Sequence, residues 1–83
     1  MRLKTLDGSI QEQIRRAVVE QIADAKVEVT GAGGHFSLVV TSREFQGKST
    51  LAKQRLVLRA IAPLMSGQNA PVHAIDSLQT LTP

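Results

Sequence analysis

The sequence contains no cysteine and very few aromatic residues. Without cysteine the chain can form no disulfide and can supply no thiolate of its own. Phe36 and Phe45 are its two aromatic residues, so the core must be built from leucine, isoleucine, valine and alanine. No apolar run approaches the roughly 18 residues of a membrane-spanning helix, and the N-terminus lacks the apolar segment of a signal peptide. We therefore expect a cytoplasmic protein without a membrane partner.

A length of 83 residues and a hydrophobic content of 42% fit one small domain over residues 1–83. A chain of this size buries only about 60% of its unfolded surface, so its core is small. The formal net charge is +3. This mild excess of cations leaves anionic partners open without favouring them, because a charged surface also simply keeps a small protein in solution.

The hydrophobic pattern predicts two helices and three strands. Ser9 followed by Glu12 is a capping-box signature, and the apolar residues after it recur at helical spacing. Alternation of polar and apolar residues then predicts two strands, and the glycine-rich segment between them predicts a hairpin. In chain order, the predicted elements are a helix over residues 10–24, strands over 26–30 and 35–40 around a loop at 31–34, a second helix, a loop over 67–70 and a third strand over 72–78.

The second helix follows a turn at residues 45–47, and either Ser49 or Thr50 can cap it. Pro63 removes a backbone donor, so we expect this helix to break or kink near Ile61. The predicted fold class is therefore α/β, a two-layer α+β arrangement in the order α-β-β-α-β, with a three-stranded sheet covered by helices. The apolar residues predicted on one face of the second helix are Leu51, Val57, Leu58, Ile61, Leu64 and Met65.

Two glycine-containing segments resemble nucleotide-binding loops without matching them. The segment from Gly47 to Thr50 has the end of a P-loop, but the motif needs a glycine where this chain has Ser42. The glycines within residues 31–34 fail the dinucleotide fingerprint, because Phe36 stands where that motif needs its last glycine. We interpret the first segment as a turn and helix cap and the second as a hairpin loop. No catalytic constellation is present, so we predict that the chain is not an enzyme.

The second predicted helix carries a basic stripe. Arg55 and Arg59 lie four residues apart, and such a stripe can contact phosphates, although a solvated helix face is the ordinary alternative. Leu56 projects on nearly the same side as these arginines, which indicates either a partner surface or an additional buried contact. The residues of the predicted surface are Arg43, Lys48, Lys53, Arg55, Leu56 and Arg59.

Five short segments of the chain follow one another in a distinctive order. They are Gly34-His35-Phe36, Phe45-Gln46-Gly47-Lys48-Ser49, Gln54-Arg55-Leu56-Val57, Ala60-Ile61-Ala62, and the stretch from Pro71 to Pro83. Their order and spacing resemble the BolA family, and within it the IbaG/YrbA-like bacterial branch. The resemblance extends over roughly residues 9–83 and implies the element order given above, together with a likeness to the class II KH fold.

The resemblance implies a metal-ligand role for His73. It matches the histidine of the family's third strand, which ligates iron in a [2Fe–2S] cluster shared with a monothiol glutaredoxin. Histidine can replace cysteine on a cluster iron, as it does in Rieske centres. The family's second ligand lies in the loop between the first two strands, near Ala32 here, and the nearest substitute in this chain is His35. From the residues alone, a lone histidine on a strand is more often a structural residue than a metal ligand.

Two functions of different classes follow. The first is a non-enzymatic adaptor that binds, senses or transfers a [2Fe–2S] cluster together with a monothiol glutaredoxin. The glutaredoxin and glutathione would supply the thiolates, and the isolated chain would bind no cluster tightly. The alternative is a transcriptional regulator that binds double-stranded DNA through the basic second helix. The lack of interleaved aromatics argues against single-stranded RNA. A simple oligomerising module ranks last, and alone we expect a monomer or weak homodimer.

Overall fold

Two helices and a three-stranded mixed sheet make up the fold in a computed structural model that describes residues 9–83. β1 pairs with β2 in antiparallel orientation and β2 pairs with β3 in parallel, so β2 is the central strand. This arrangement confirms the predicted α-β-β-α-β order and the three-stranded sheet. In chain order the elements are α1 (Ile10–Gln21), β1 (Lys26–Ala32), β2 (His35–Thr41), a short 3₁₀ helix (Arg43–Phe45), α2 (Thr50–Met65) and β3 (Ala74–Leu81).

The core lies between the helices and one face of the sheet. Alternate residues of β2 point into it, since successive side chains of a strand face opposite sides. Neither helix of residues 9–83 is both long and apolar enough to cross a membrane. The buried apolar side chains are Ile14, Val18 and Ile22 from α1 and its C-terminal end, Phe36, Leu38 and Val40 from β2, Phe45, Val57, Ala60 and Ile61 from the 3₁₀ helix and α2, and Val72.

α1 begins as predicted and ends three residues early. The Ser9 hydroxyl accepts a hydrogen bond from the backbone N–H of Glu12 at 3.2 Å, as an N-cap does. The Glu12 carboxylate pairs with Arg15, whose hydrogen bond lowers the pKa of Glu12. The helix stops at Gln21 because the next residue is extended, and Asp24 takes a left-handed φ of 59°. The predicted end at Asp24 is therefore wrong.

α2 continues past its proline. Ser49 caps the helix by accepting a hydrogen bond from the backbone N–H of Ala52 at 3.1 Å. The helix then runs to Met65 with Pro63 inside it. Of the predicted break or kink near Ile61, the break is therefore wrong. Pro63 lies on the exposed side of α2. Water can therefore hydrate the backbone carbonyl that the missing proline N–H leaves without a helical partner.

The buried residues of α2 agree only in part with the apolar face that the sequence predicts. Val57 and Ile61 are buried, and Leu64 and Met65 pack against the core. Leu51 and Leu58 are 55% and 41% exposed, so four of the six predicted residues lie in or against the core and two do not. Leu56 is partly buried and packs against the core cluster. Leu56 therefore makes the buried contact that was one of the two alternatives, and its place on a partner surface stays a prediction.

We expect Leu56→Ala to lower the free energy of unfolding by roughly 1–2 kcal/mol, somewhat less than the truncation of a fully buried leucine. Leu58→Ala removes the same atoms from a more exposed position and should cost less than about 0.5 kcal/mol. Urea denaturation of both variants measures the difference. Equal losses in the two variants would contradict the orientation of α2 described here.

Candidate functional site

A two-glycine turn joins β1 and β2. Gly33 and Gly34 have φ values of 65° and 86°, as both central residues of a type I′ turn require. β1 extends to Ala32, so the connection is shorter than the predicted loop over residues 31–34. The turn fixes the end of the hairpin tightly and presents the backbone of Gly34 to the segment that enters β3.

The carbonyl of Gly34 holds the start of the third strand. It accepts hydrogen bonds from the backbone N–H groups of His73 at 2.8 Å and Ala74 at 3.0 Å. The imidazole of His73 lies against Gly34, since a Cβ added there would be 2.7 Å from the histidine Nδ1. His73 is exposed and immediately precedes β3. The prediction that it lies within a strand over residues 72–78 is therefore wrong, although it stands at that strand's entrance.

His35 approaches a different partner. Its Nδ1 lies 3.3 Å from the Oδ1 of Asp76, and both side chains are more than half exposed. Asp76 occupies an irregularity in the parallel pairing, because Phe36 pairs with Ile75 whereas the next residue of β2 pairs with Ser77. The extra residue has no partner on β2, and its carboxylate faces His35. Asp76 is the site residue that the sequence analysis missed.

The sequence does hold a signal for this irregularity. Ile75 and Leu78 both pack against the core, yet they are three residues apart and not two. A strand with strict alternation would place them on opposite faces. The broken period therefore marks a bulge between them, and it could have directed attention to Asp76.

Within the part of the chain that the structure describes, the histidines do not form a complete metal site. Among residues 9–83, no three His, Asp or Glu side chains converge in a way that could hold a metal ion. The available donors are imidazoles and carboxylates, because the chain has no thiolate. Iron–sulfur clusters are held mainly by thiolates. The residues present therefore fit the supply of imidazole ligands to a shared cluster and do not fit a cluster held by this chain alone.

The arginines and lysines of the predicted surface lie in two groups in the structure. Arg43 and Lys53 line a cleft of about 450 Å³ beside the N-terminal end of α2, and Arg43 also forms an ion pair with Asp24 at 3.4 Å. Arg55 and Arg59 lie instead on the exposed side of α2. Lys53 and Arg55 are two residues apart and project from different sides of the helix, so these cations do not form one surface. The role of the predicted surface in binding nucleic acid or a partner stays a prediction.

The remaining cation, Lys48, lies in the turn before α2. It is exposed and follows Gly47, whose φ is 78°. A left-handed turn glycine, an exposed lysine and the Ser49 cap are the arrangement expected for this segment in place of a P-loop. Lys48 extends the positive charge at the N-terminal end of α2 beyond the cleft.

The fold is a mixed three-stranded sheet under two helices, with a histidine just before the parallel strand. These features place the chain among small two-layer α/β proteins. Within this class, the chain belongs to the BolA-like family, since the family model described as "BolA-like protein" matches residues 10–83. The family prediction is confirmed. The narrower placement in the IbaG/YrbA-like branch stays a prediction.

Similar proteins include a curated relative and two solved structures. BolA-like protein 1 of Mus musculus is 31% identical over 84 residues, covering 94% of this chain and 58% of the mouse protein. A bolA protein homologue from Coxiella burnetii has a solved structure with 30% identity and a TM-score of 0.74, covering 90% of this chain and 91% of that one. The BolA domain of SufE1 from Arabidopsis thaliana is 26% identical with a TM-score of 0.74, covering 92% and 94%.

We expect Gly34→Ala to destabilise the fold and displace the His73 ring. The new methyl group would meet that ring, and the left-handed φ adds a cost of about 1 kcal/mol. Gly33→Ala is the matched control, because it has a similar φ but no atom within 4 Å of the added Cβ. Urea denaturation and the ring-proton chemical shifts of His73 measure the two effects. If both variants lose the same stability and the His73 resonances stay unchanged, the contact does not position the ring.

Proposed function

We propose that this chain is a non-enzymatic adaptor that supplies His73 as a ligand to a [2Fe–2S] cluster shared with a monothiol glutaredoxin. One observation carries the proposal: an exposed imidazole stands on backbone that is hydrogen-bonded to Gly34, in a chain without a thiolate. Membership of the BolA-like family supports it. The thiolates would come from the glutaredoxin and from glutathione.

His73 is well suited to ligate a metal on a partner. Its backbone is fixed by the bond to Gly34, while its side chain is exposed to whatever docks against this end of the sheet. A ligand held on rigid backbone loses less conformational freedom when a complex forms. This arrangement favours ligation across an interface over a structural role inside the core.

His35 is the candidate for a second ligand from this chain. Its Nδ1 faces the carboxylate of Asp76, which leaves Nε2 as the ring nitrogen open to a partner. Metal-binding histidines commonly donate their other ring N–H to a carboxylate, which fixes the tautomer and the orientation of the ring. Asp76 supports this role for His35, whereas the exposure of both side chains makes their contact weaker than that of a buried pair.

We expect His73→Ala to abolish the change in visible absorption that follows mixing with a cluster-bearing, glutathione-loaded monothiol glutaredoxin. The substitution removes the donated nitrogen from an exposed position, so thermal unfolding should stay close to that of the wild type. His35→Ala changes the candidate second ligand and should reduce the spectral change less.

The wild-type chain, reconstituted alone, should hold no stoichiometric cluster, because it offers two imidazoles and no thiolate. A complex whose spectrum survives His73→Ala, combined with a large loss of thermal stability, would make His73 a structural residue. That result would remove the central assignment.

Binding of double-stranded DNA is a second candidate function, supported by the charge of α2. This helix carries Lys53, Arg55 and Arg59 and contains no Asp or Glu over its 16 residues. Within residues 9–83, neither Arg55 nor Arg59 forms an ion pair. Unpaired cations on an exposed helix can contact phosphates and release counterions.

If a duplex binds here, Arg55→Ala and Arg59→Ala should weaken binding equally for all sequences. Each should also flatten the dependence of affinity on salt by about one unit of slope, because each removes one phosphate contact. Arg15→Ala is the control, since that cation lies on α1 and already pairs with Glu12. Fluorescence anisotropy over a range of salt concentrations measures the slopes. Binding that ignores salt would exclude phosphate contact by this helix.

A further inference from the structure

The exposed side of α2 combines large apolar side chains with cations that form no ion pair within residues 9–83. Leu51, Arg55, Leu58 and Ala62 recur at intervals of four, three and four residues, so they share one side of the helix. Arg59 lies beside them. All five are exposed, and Leu51 and Leu58 are two of the four large hydrophobic residues exposed within residues 9–83. We call this set the outer face of α2.

We propose that the outer face of α2 is a docking surface for an acidic protein partner with an apolar groove or ridge. Leu51 and Leu58 are seven residues apart, which places them about 10 Å apart along the helix axis. They serve as the apolar anchors. Arg55 lies between the two leucines in sequence, and Arg59 follows them. No acidic residue of α2 balances these arginines, so they would pair with carboxylates of the partner.

Charge and apolar area together distinguish this partner from other occupants. A second copy of the chain docking through the same face would bring arginines against arginines, which disfavours association. DNA phosphates would pair with the arginines but would gain nothing from two leucines, because phosphate contacts are electrostatic. A lipid surface needs a broad apolar helix face, whereas the main apolar face of α2 is already packed in the core.

This inference does not depend on the iron–sulfur proposal, but it competes with duplex binding, because both use Arg55 and Arg59. Leu51, Leu58 and the arginines are separate from His73, which stands at the entrance of β3. The two proposals therefore fail separately. If no change in visible absorption follows mixing with the glutaredoxin, the docking proposal is unaffected. If the peptide does not bind, the proposed ligand role of His73 is unaffected.

The test uses a synthetic 18-residue helical peptide with leucines seven residues apart and glutamates beside them. A second peptide with lysine in place of every glutamate is its charge-reversed partner. Titration of the full ¹⁵N-labelled chain, followed by NMR, should shift resonances of the outer face with the glutamate peptide and not with the lysine peptide. Isothermal calorimetry gives the affinities.

Truncation of an anchor should weaken binding of the glutamate peptide by about tenfold for Leu51→Ala and for Leu58→Ala, as loss of a central apolar contact does. Val19→Ala is the matched control, because Val19 on α1 is 41% exposed, as Leu58 is. It should leave affinity unchanged. The double variant Arg55→Glu/Arg59→Glu should lose the glutamate peptide and gain the lysine peptide. Circular dichroism should show that every variant is folded.

Several results would overturn the proposal. One is the absence of shifts on the outer face at millimolar glutamate peptide, and another is equal affinity in the leucine variants and the wild type. A third is dimerisation of the wild type in sedimentation velocity that Leu51→Ala/Leu58→Ala abolishes, which would assign the face to a second copy. Preferential binding to a 20-base-pair duplex or to phosphatidylglycerol vesicles, with no response to the peptide, would assign it to nucleic acid or to lipid.

Discussion

The carbonyl of Gly34 is the contact on which the rest of the candidate site depends. It accepts two backbone hydrogen bonds, from His73 and from Ala74, and so joins the β-hairpin turn to the entrance of the parallel strand. The two partners are about forty positions from Gly34 in the sequence, and the crossover through α2 lies between them. With this junction in place, β3 begins in register beside β2 and the His73 backbone is fixed at the edge of the sheet.

A one-residue shift in the pairing of β2 with β3 determines which side chain lies beside His35. The parallel register between β2 and β3 shifts by one residue after Phe36, and Asp76 is the residue left over. Bulges commonly redirect a side chain near a functional site. Here the shift places a carboxylate beside His35. The two histidines consequently differ: His73 is positioned by backbone contacts, whereas His35 has a side-chain partner.

Hydrophobic periodicity predicts that α2 forms, and packing against the sheet decides which of its apolar residues are buried. Its existence, its Ser49 cap and its buried Val57 and Ile61 agree with the sequence pattern. The pattern placed Leu51 and Leu58 on the same face as Val57 and Ile61, but the rotation of the helix about its axis leaves them exposed. Periodicity defines a set of positions that share a side, and a helix with apolar residues on several sides satisfies more than one such set. Contact with the sheet selects between them.

The sequence by itself determined the order of the elements, the glycine turn, the helix caps and the family, because each rests on neighbouring residues or on short motifs. Only the tertiary structure decided that His73 stands before β3, that His35 meets Asp76, and that the cations divide between a cleft and the outer face of α2. These features depend on strand register and helix rotation. Both are set by contacts between residues far apart in the chain, which local propensity does not encode.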